Sequence, residues 1–241
     1  MGVPVPRGAE TAIGALLRGA IQGGIIFGSS MLVYLACVHG DWVWDDYPLI
    51  ALNPVVQGPY SFLAWWFSPD APDYFPLTTT MLWLEWHAFG NATTGYHVVS
   101  MLLHAAASIL LWRLLAVMRI PGAWLAGLLF AVHPLCVESV AWISELKNTL
   151  TQPLFLLAAI HWVRADEQAE TDQAFTAGAT QWALALFCFL MAMFAKTSVV
   201  MFPVVILLHA WWKRGAVSFR DILRAAPFFL VSLLLGLVTI W

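Results

Sequence analysis

Charged residues divide the chain into long apolar runs. Seven of the runs that lack Asp, Glu, Lys and Arg, each of 16 to 27 residues, are interpreted as spans. A bilayer core about 30 Å thick needs roughly 17 to 25 mostly apolar residues per helix, so each run is a candidate span, and the two shortest are bounded by Lys or Arg side chains that can reach the interface. The pattern predicts an all-α, polytopic membrane helix bundle of about seven transmembrane helices, within residues 19–40, 86–112, 120–137, 148–163, 173–195, 197–212 and 225–241.

Basic residues are unevenly divided between the two sides of this predicted bundle. With a cytoplasmic N-terminus, nine of the eleven Lys and Arg residues lie on the inner side, and only Lys147 and Lys196 lie on the outer side. Basic residues near span ends are retained in the cytoplasm. We therefore predict a cytoplasmic N-terminus over residues 1–19 and a transmembrane domain over residues 20–241, with the first helix acting as a signal anchor.

One long loop is predicted, between the first two spans, over about residues 39–93. It contains six carboxylates and no Lys or Arg. Between Pro59 and Phe89 it mixes Trp, Phe and Tyr with Pro, which is typical of short helices that lie in the membrane interface. The loop is therefore expected to form an acidic, aromatic-rich cap on the outer face.

Composition narrows the class of protein. The chain is 61% hydrophobic and 10% charged, whereas soluble domains are about a quarter charged, so a water-soluble globule is excluded. No basic cluster is longer than Lys213-Arg214, and nucleic acid is not an expected partner. Cys37, Cys136 and Cys188 lie in apolar sequence and are interpreted as small buried hydrophobes, with a Cys37–Cys136 bridge as the alternative.

Two adjacent carboxylates stand where the first span meets the loop. They are Asp45 and Asp46, and Pro48 favours an extended backbone at Tyr47, which places the pair just past the helix end. Like charges and flanking indoles both raise the proton affinity of a carboxylate, as a general base requires. A hydrated Asp pair that ends the helix is the structural alternative.

Two histidines near the start of the second span form another candidate set. His97 and His104 are seven residues apart, which places them within about 20° of each other on a helix. The alternatives are an interfacial His97 and a His104 bonded to a neighbouring carbonyl. No cofactor or metal site is predicted, and a divalent metal held by both histidines with Asp45 stays open.

The stretch from His133 to Asn148 is the densest polar segment on the predicted outer side. His133-Pro134 should break or end the third span, and three ionisable residues follow it, namely Glu138, Glu145 and Lys147. Ionisable residues at membrane depth are costly and indicate function, although Glu138 and Lys147 could form only a local ion pair.

Lys196 is the other outer cation, and it lies in a hairpin between two spans. An ammonium group at this depth needs an anion, and a phosphate headgroup would serve. Extension of the side chain to the interface is the alternative.

In chain order these motifs resemble those of a known family. They are Asp45-Asp46, Asn53-Pro54, Tyr74-Phe75-Pro76-Leu77, Phe89-Gly90-Asn91, Gly95-Tyr96-His97 with His104, the stretch from His133 to Ile143, and Ala195-Lys196 with Pro203. Over about residues 28–215 the chain resembles the membrane part of the transmembrane and tetratricopeptide repeat-containing O-mannosyltransferases of the GT-C superfamily, especially their bacterial relatives.

The resemblance implies a glycosyltransferase in the bilayer, with its active site on the extracytoplasmic face of a bacterial inner membrane. Such an enzyme moves a sugar, with mannose as the candidate, from a polyprenyl-phosphate donor to a hydroxyl of a protein or glycan by inverting displacement. Asp45 or Asp46 is then the catalytic base. Candidate donor phosphate ligands are His97, Lys147 and Lys196, and candidate supporting residues are His104, His133, Glu138 and Glu145.

The chain also departs from the family pattern. Bacterial relatives often read Glu-Arg-Lys-Asp where this chain has Glu145-Leu146-Lys147-Asn148, which leaves donor binding or acceptor choice at this segment open. The family continues with further membrane helices and tetratricopeptide repeats, so a longer protein is expected. A non-catalytic or degenerate membrane scaffold and a secondary transporter are the alternative functions, although the polar groups gather on the outer side rather than at the midplane.

Overall fold

The structure is a computed structural model that describes residues 7–59, 62–67, 74–170 and 175–240. Within these ranges the chain is helical and contains no β-strand, which confirms the predicted all-α fold. The α-helices are α1 (Arg7–Tyr34), α2 (Pro54–Gln57), α3 (Phe62–Phe67), α4 (Pro76–Phe89), α5 (Thr93–Val117), α6 (Ala123–Ala131), α7 (Val137–Ala141), α8 (Leu146–Glu170), α9 (Phe175–Ala195), α10 (Phe202–Arg214) and α11 (Phe219–Ile240).

Four helical segments of the described chain are long and apolar enough to cross a membrane, and a bent pair of helices adds a fifth if it counts as one broken span. The predicted number of seven is not confirmed. Helix α10 has only 13 residues, about 20 Å, which is shorter than the hydrocarbon core, and α8 carries five charged residues. The four segments are Ala12–His39, Thr93–Val117, Thr176–Ala195 and Phe219–Thr239.

The bend lies at His133-Pro134, where the sequence predicts a break. Helix α6 ends at Ala131, and the segment Pro134–Ala141 leaves it at 50°. His133 is extended, and its Nδ1 accepts a hydrogen bond from the backbone N–H of Leu135 at 3.2 Å. The imidazole therefore caps the 3₁₀ turn that Pro134 begins.

The loop from His39 to Thr93 forms several short helices. Two of them, α3 and α4, occupy the stretch in which the sequence predicts short helices. Tyr47 does not take the expected extended backbone but begins a one-turn π-helix, Tyr47–Ala51. Pro48 is tolerated there because the first N–H groups of a helix need no partner within the helix.

Helix α5 lies at the centre of the first half of the bundle, where it packs against α1, α6 and α8, while α8 packs along α9. Gly127 allows α6 to lie close to α5, because a Cβ there would come within 2.7 Å of the Trp112 Cβ and 2.9 Å of the Ser108 carbonyl oxygen. The largest buried cluster joins α8, α9, α10 and α11 through the rings of Phe189, Phe202 and Phe228.

The three cysteines are free. Cys37 and Cys136 are half-buried against one cluster of Tyr34, Met101 and Val140, and Cys188 is buried among the aromatic rings of the other half. All three pack as small apolar side chains, and the alternative bridge between Cys37 and Cys136 does not form.

One end of the bundle, here called the basic end, is joined by a buried carboxylate. Asp166 of α8 is 3% exposed, and it accepts hydrogen bonds from Lys213 and Arg214 of α10 and from Arg224 of α11, at 2.9 to 3.4 Å. Arg214 also donates to Asp221 of α11 at 2.6 Å. Basic residues that the sequence predicts on the inner side of the membrane therefore also connect three helices to one another.

We predict that Asp166→Asn lowers the free energy of unfolding by about 2 kcal/mol, because it leaves three partly buried cations without their shared carboxylate. Thermal unfolding of the purified chain in detergent measures the change. Glu167→Gln, which removes the neighbouring carboxylate, serves as the matched control and should change the melting temperature little. Equal effects of the two substitutions would contradict the assigned role of Asp166.

Candidate active site

The candidate site lies at the other end of the bundle, where the first loop meets the start of α8 and the end of α9. Asn148 and Asp166 are 18 residues apart on α8, so this end is about 27 Å from the basic end. We call it the loop end. It brings together Asp46, Glu145, Lys147 and Lys196, which the sequence separates by up to 150 positions.

Asp46 is buried, and backbone N–H groups bind both of its carboxylate oxygens. Its Oδ1 accepts from Ser144 at 2.7 Å, and its Oδ2 accepts from Val43 at 2.9 Å. The side chain is 1% exposed. Because both oxygens are occupied, this carboxylate holds the loop against the segment that precedes α8.

Asp45 is exposed, in contrast to its neighbour. The preceding residue, Trp44, has a φ of 44°, a left-handed backbone that is strained for a bulky side chain. The Trp44 ring packs edge-on against the Trp142 ring, with 5.7 Å between centroids, and the Trp142 indole donates to the Val43 carbonyl at 3.3 Å. This fixed turn directs the two carboxylates differently, one inward and one toward the surroundings.

A chain of polar contacts connects two of the predicted cations. The Lys196 ammonium donates to Oδ1 of Asn148 at 2.5 Å, and the Asn148 amide donates to Ser139 at 3.0 Å and to Glu145. Glu145 also pairs with Lys147 at 3.0 Å. Lys147 therefore pairs with Glu145 rather than with Glu138, the partner considered from the sequence, and Glu138 is exposed on α7.

A groove of about 480 Å³ is lined by Lys196 and by residues of α8. Its polar lining residues are Asn148, Thr151, Gln152, Lys196 and Ser198, and its other lining residues, such as Phe155 and Val205, are apolar. From Asn148 to Leu156 the α8 wall is about 12 Å long, since an α-helix rises 1.5 Å per residue. The groove can therefore accept an elongated apolar molecule that carries an anionic head.

The two predicted histidines lie on α5 but contact backbone carbonyls. His97 is buried, and its Nε2 lies 3.2 Å from the Gly40 carbonyl oxygen, to which Thr93 donates at 2.7 Å. Gly40 must lack a side chain, because a Cβ would come within 2.8 Å of this Nε2. The His104 Nε2 lies 3.3 Å from the Ala131 carbonyl oxygen, which matches the carbonyl-bonded alternative.

The described residues contain no group of three His, Cys, Asp or Glu side chains that could hold a metal ion.

His133 lies beside the bend, and its carbonyl accepts from the Tyr34 hydroxyl at 3.3 Å. It therefore supports the wall of the bundle and does not join the network around Lys196 and Asn148.

The sequence interpretation missed the importance of two residues. Asn148 connects Glu145 with Lys196, and its signal was the departure from the family pattern at this position. Glu85 of α4 is 3% exposed, and within the described structure neither of its carboxylate oxygens has a hydrogen-bond partner. Burial raises the pKa of Glu85 to about 8. Its signal was a carboxylate within the apolar stretch Leu84-Glu85-Trp86.

The chain is similar to several curated proteins, although no family model matches it and no solved structure matches it significantly. It is 33% identical to the protein O-mannosyl-transferase F38B6.6 of Caenorhabditis elegans over 56% of this chain and 22% of that protein. It is 31% identical to the mouse protein O-mannosyl-transferase TMTC1 over 69% of this chain and 19% of the relative, and 30% identical to human TMTC1 over 73% and 22%. The chain thus spans about a fifth of the length of these relatives.

Glu85 predicts a pH dependence of stability. Between about pH 4.5 and 8 the unfolded chain has lost the Glu85 proton and the folded chain keeps it, so the free energy of unfolding falls as the pH rises. We expect Glu85→Gln to remove this slope and to make the variant more stable than the natural chain above about pH 8.

Melting temperatures in detergent across about pH 5 to 9 test this expectation. Glu138→Gln removes an exposed carboxylate and is the control, for which the slope should stay as in the natural chain. A Glu85→Gln variant with an unchanged slope would show that another group causes the dependence.

Proposed function

We propose that this chain, which is related by sequence to the protein O-mannosyl-transferases, forms the donor site of a membrane glycosyltransferase of the GT-C type. It would transfer a sugar, with mannose as the candidate, from a polyprenyl-phosphate donor to a hydroxyl group of a protein. The single observation that carries this proposal is the groove at the loop end, whose lining combines the Lys196 cation and a few polar side chains with a mostly apolar remainder.

The groove fits the two parts of a lipid-phosphate donor. In its lining, one donor of the Lys196 ammonium binds Asn148, and an ammonium has three donors in total. Such a cation, half-buried beside an apolar wall, attracts an anion more strongly than a cation in water does. The apolar residues farther along the groove would hold the first isoprene units of the tail.

Asp45 is the better placed of the two carboxylates to act as base. It is exposed, whereas both oxygens of Asp46 accept backbone hydrogen bonds. In the proposed reaction the acceptor hydroxyl oxygen attacks C1 of the sugar and its proton passes to Asp45. The bond between C1 and the phosphate oxygen breaks, its electron pair leaves with the phosphate, and the configuration at C1 inverts. Lys196 would stabilise the charge that develops on that phosphate.

The other candidate residues would then have supporting roles. The Lys147–Glu145 pair contacts Asn148, which lines the groove, while His97 packs under Gly40 and supports the turn that leads to the Asp pair. The unequal distribution of basic residues supports an orientation with the loop end on the extracytoplasmic face.

The Asp pair gives a prediction that separates catalysis from positioning. Asp45→Asn should lower sugar transfer about 100-fold to 10,000-fold and leave the melting temperature unchanged, because it removes only a base. Asp46→Asn should lower both, because the new amide group would turn an N–H toward a backbone N–H.

Transfer is measured in membranes that contain the full chain, with a radiolabelled polyprenyl-phosphate mannose and a peptide that contains Ser and Thr. Asp41→Asn, a nearby exposed carboxylate in the same loop, is the control. Transfer that survives in Asp45→Asn would refute the assignment of Asp45 as base.

Lys196 gives a second prediction, which concerns binding alone. Lys196→Met keeps an unbranched side chain only one atom shorter and removes its charge, so we expect the affinity for a polyprenyl monophosphate to fall about tenfold or more. Radioligand binding to the chain in neutral-lipid nanodiscs measures this change. Arg113→Met removes an exposed cation that does not line the groove and should have no effect; an equal loss in both variants would indicate nonspecific charge attraction.

A further inference from the structure

We propose that Thr151 and Gln152 bind the phosphate group of the lipid that occupies the groove. This inference rests on the proposed donor site and adds two residues to it. Neither residue is charged, and both belong to the apolar run from Asn148 to Val163, so the sequence alone does not single them out.

The α8 wall of the groove is a single helical stripe. Its members are Asn148, Thr151, Gln152, Phe155 and Leu156. Their spacing of three and four residues places them on one face of the helix. The first three members are polar and the last two are apolar, so the stripe changes character along the groove in the order in which a lipid changes from head to tail.

The Thr151 hydroxyl is buried and unused, and the Gln152 Oε1 is buried beside the side chain of His104. Thr151 is 5% exposed, and within the described chain neither its Oγ1 nor the Gln152 Oε1 has a hydrogen-bond partner. A buried polar atom without a partner costs about 1 to 3 kcal/mol, and such atoms in native proteins generally have a partner from protein, water or ligand. Because both residues line the groove, a ligand in the groove can supply that partner.

Thr149 shows that the missing hydrogen bond of the Thr151 hydroxyl results from its position on the helix and not from the residue type. This neighbouring threonine is fully buried, and its Oγ1 donates to the Leu146 carbonyl at 3.2 Å, as a threonine within a helix commonly does. It is not among the groove residues. The two threonines therefore form a matched pair, one with a satisfied hydroxyl and one with an open hydroxyl.

The distances suit a phosphate group. Side chains three or four residues apart on a helix have Cβ atoms about 5 to 6 Å apart, so Thr151 and Gln152 are one turn from Asn148, which binds Lys196. A phosphate beside the Lys196 ammonium would thus lie within reach of the Thr151 O–H. The Gln152 amide can present its NH₂ in the same place, because a turn of the amide by about 180° exchanges its oxygen and nitrogen. Lys196 would supply the charge, and the two neutral donors would orient the oxygens.

The test measures binding to the full chain in nanodiscs of neutral lipid. The probes are a polyprenyl monophosphate, the matching polyprenol and inorganic phosphate. Thr151→Val removes the hydroxyl and keeps the shape, Thr151→Ser keeps the hydroxyl, and Gln152→Leu removes the amide. Thr149→Val is the matched control, and melting temperatures establish that each variant folds.

We expect Thr151→Val and Gln152→Leu to bind the monophosphate about tenfold more weakly, as for a lost hydrogen bond to a charged group. Thr151→Ser and Thr149→Val should bind it as the natural chain does, and polyprenol binding should be equal in all variants. Inorganic phosphate should compete only weakly, because it lacks the tail.

Three results would overturn the inference. The first is that Thr151→Val and Gln152→Leu leave the affinity for the monophosphate unchanged. The second is an equal loss of polyprenol binding in these variants, which would indicate that the residues only pack against the lipid. The third is competition by inorganic phosphate as strong as that of the lipid, which would indicate a site for free phosphate. Failure of the donor site itself has a different signature: the natural chain would then bind polyprenol and the monophosphate equally. If the natural chain prefers the monophosphate and Thr151→Val and Gln152→Leu do not change this preference, the donor site is supported and only this inference is refuted.

Discussion

The hydrogen bond between the Asp46 carboxylate and the Ser144 backbone N–H joins the two halves of the candidate site. It connects the first loop with the segment before α8 across 98 positions of sequence, and it lies in a buried environment where competing water is scarce. Hydrogen bonds to a charged acceptor are stronger than neutral ones, and their loss in the interior is correspondingly costly. The position of Asp45 relative to α8, and therefore to the groove, depends on this contact.

The loop end combines features that a reaction at a membrane surface requires. An exposed carboxylate, Asp45, lies in a turn that the packing of Trp44 on Trp142 supports, and a half-buried ammonium, Lys196, lines a mostly apolar groove. Asn148 accepts a hydrogen bond from that ammonium and donates one to Glu145, the residue that follows Ser144. Preorganised charges of this kind stabilise a transition state without reorganisation during the reaction, and a low-dielectric surrounding strengthens them.

Buried polar groups differ in their pairing between the two ends of the bundle. At the basic end Arg214 pairs with both Asp166 and Asp221, and these ion pairs hold three helices together. Near the loop end, by contrast, the carboxyl of Glu85 and the hydroxyl of Thr151 are buried without a partner in the described structure. The buried polar groups without partners therefore lower the stability of the loop end, whereas the ion pairs of the basic end connect the helices there.

Local sequence patterns were sufficient for the fold class, the loop between His39 and Thr93, the short helices within it and the break at His133-Pro134. Each follows from hydrophobic run length, charge or proline chemistry, which act over a few neighbouring residues. The number of spans was less predictable. The run over residues 197–212 is divided between a 3₁₀ turn and a short α10, and α8 tolerates charges because Asp166 finds partners on other helices.

The sequence by itself determined that this protein is a helical membrane protein and which ionisable residues are candidates for chemistry. Only the tertiary structure distinguished Asp45 from Asp46, paired Lys147 with Glu145, placed Asn148 beside Lys196 and left Thr151 facing a groove while Thr149 bonds to its own helix. The physical reason is that the role of a polar group depends on its burial and its partners. Both are set by packing between segments that lie far apart along the chain.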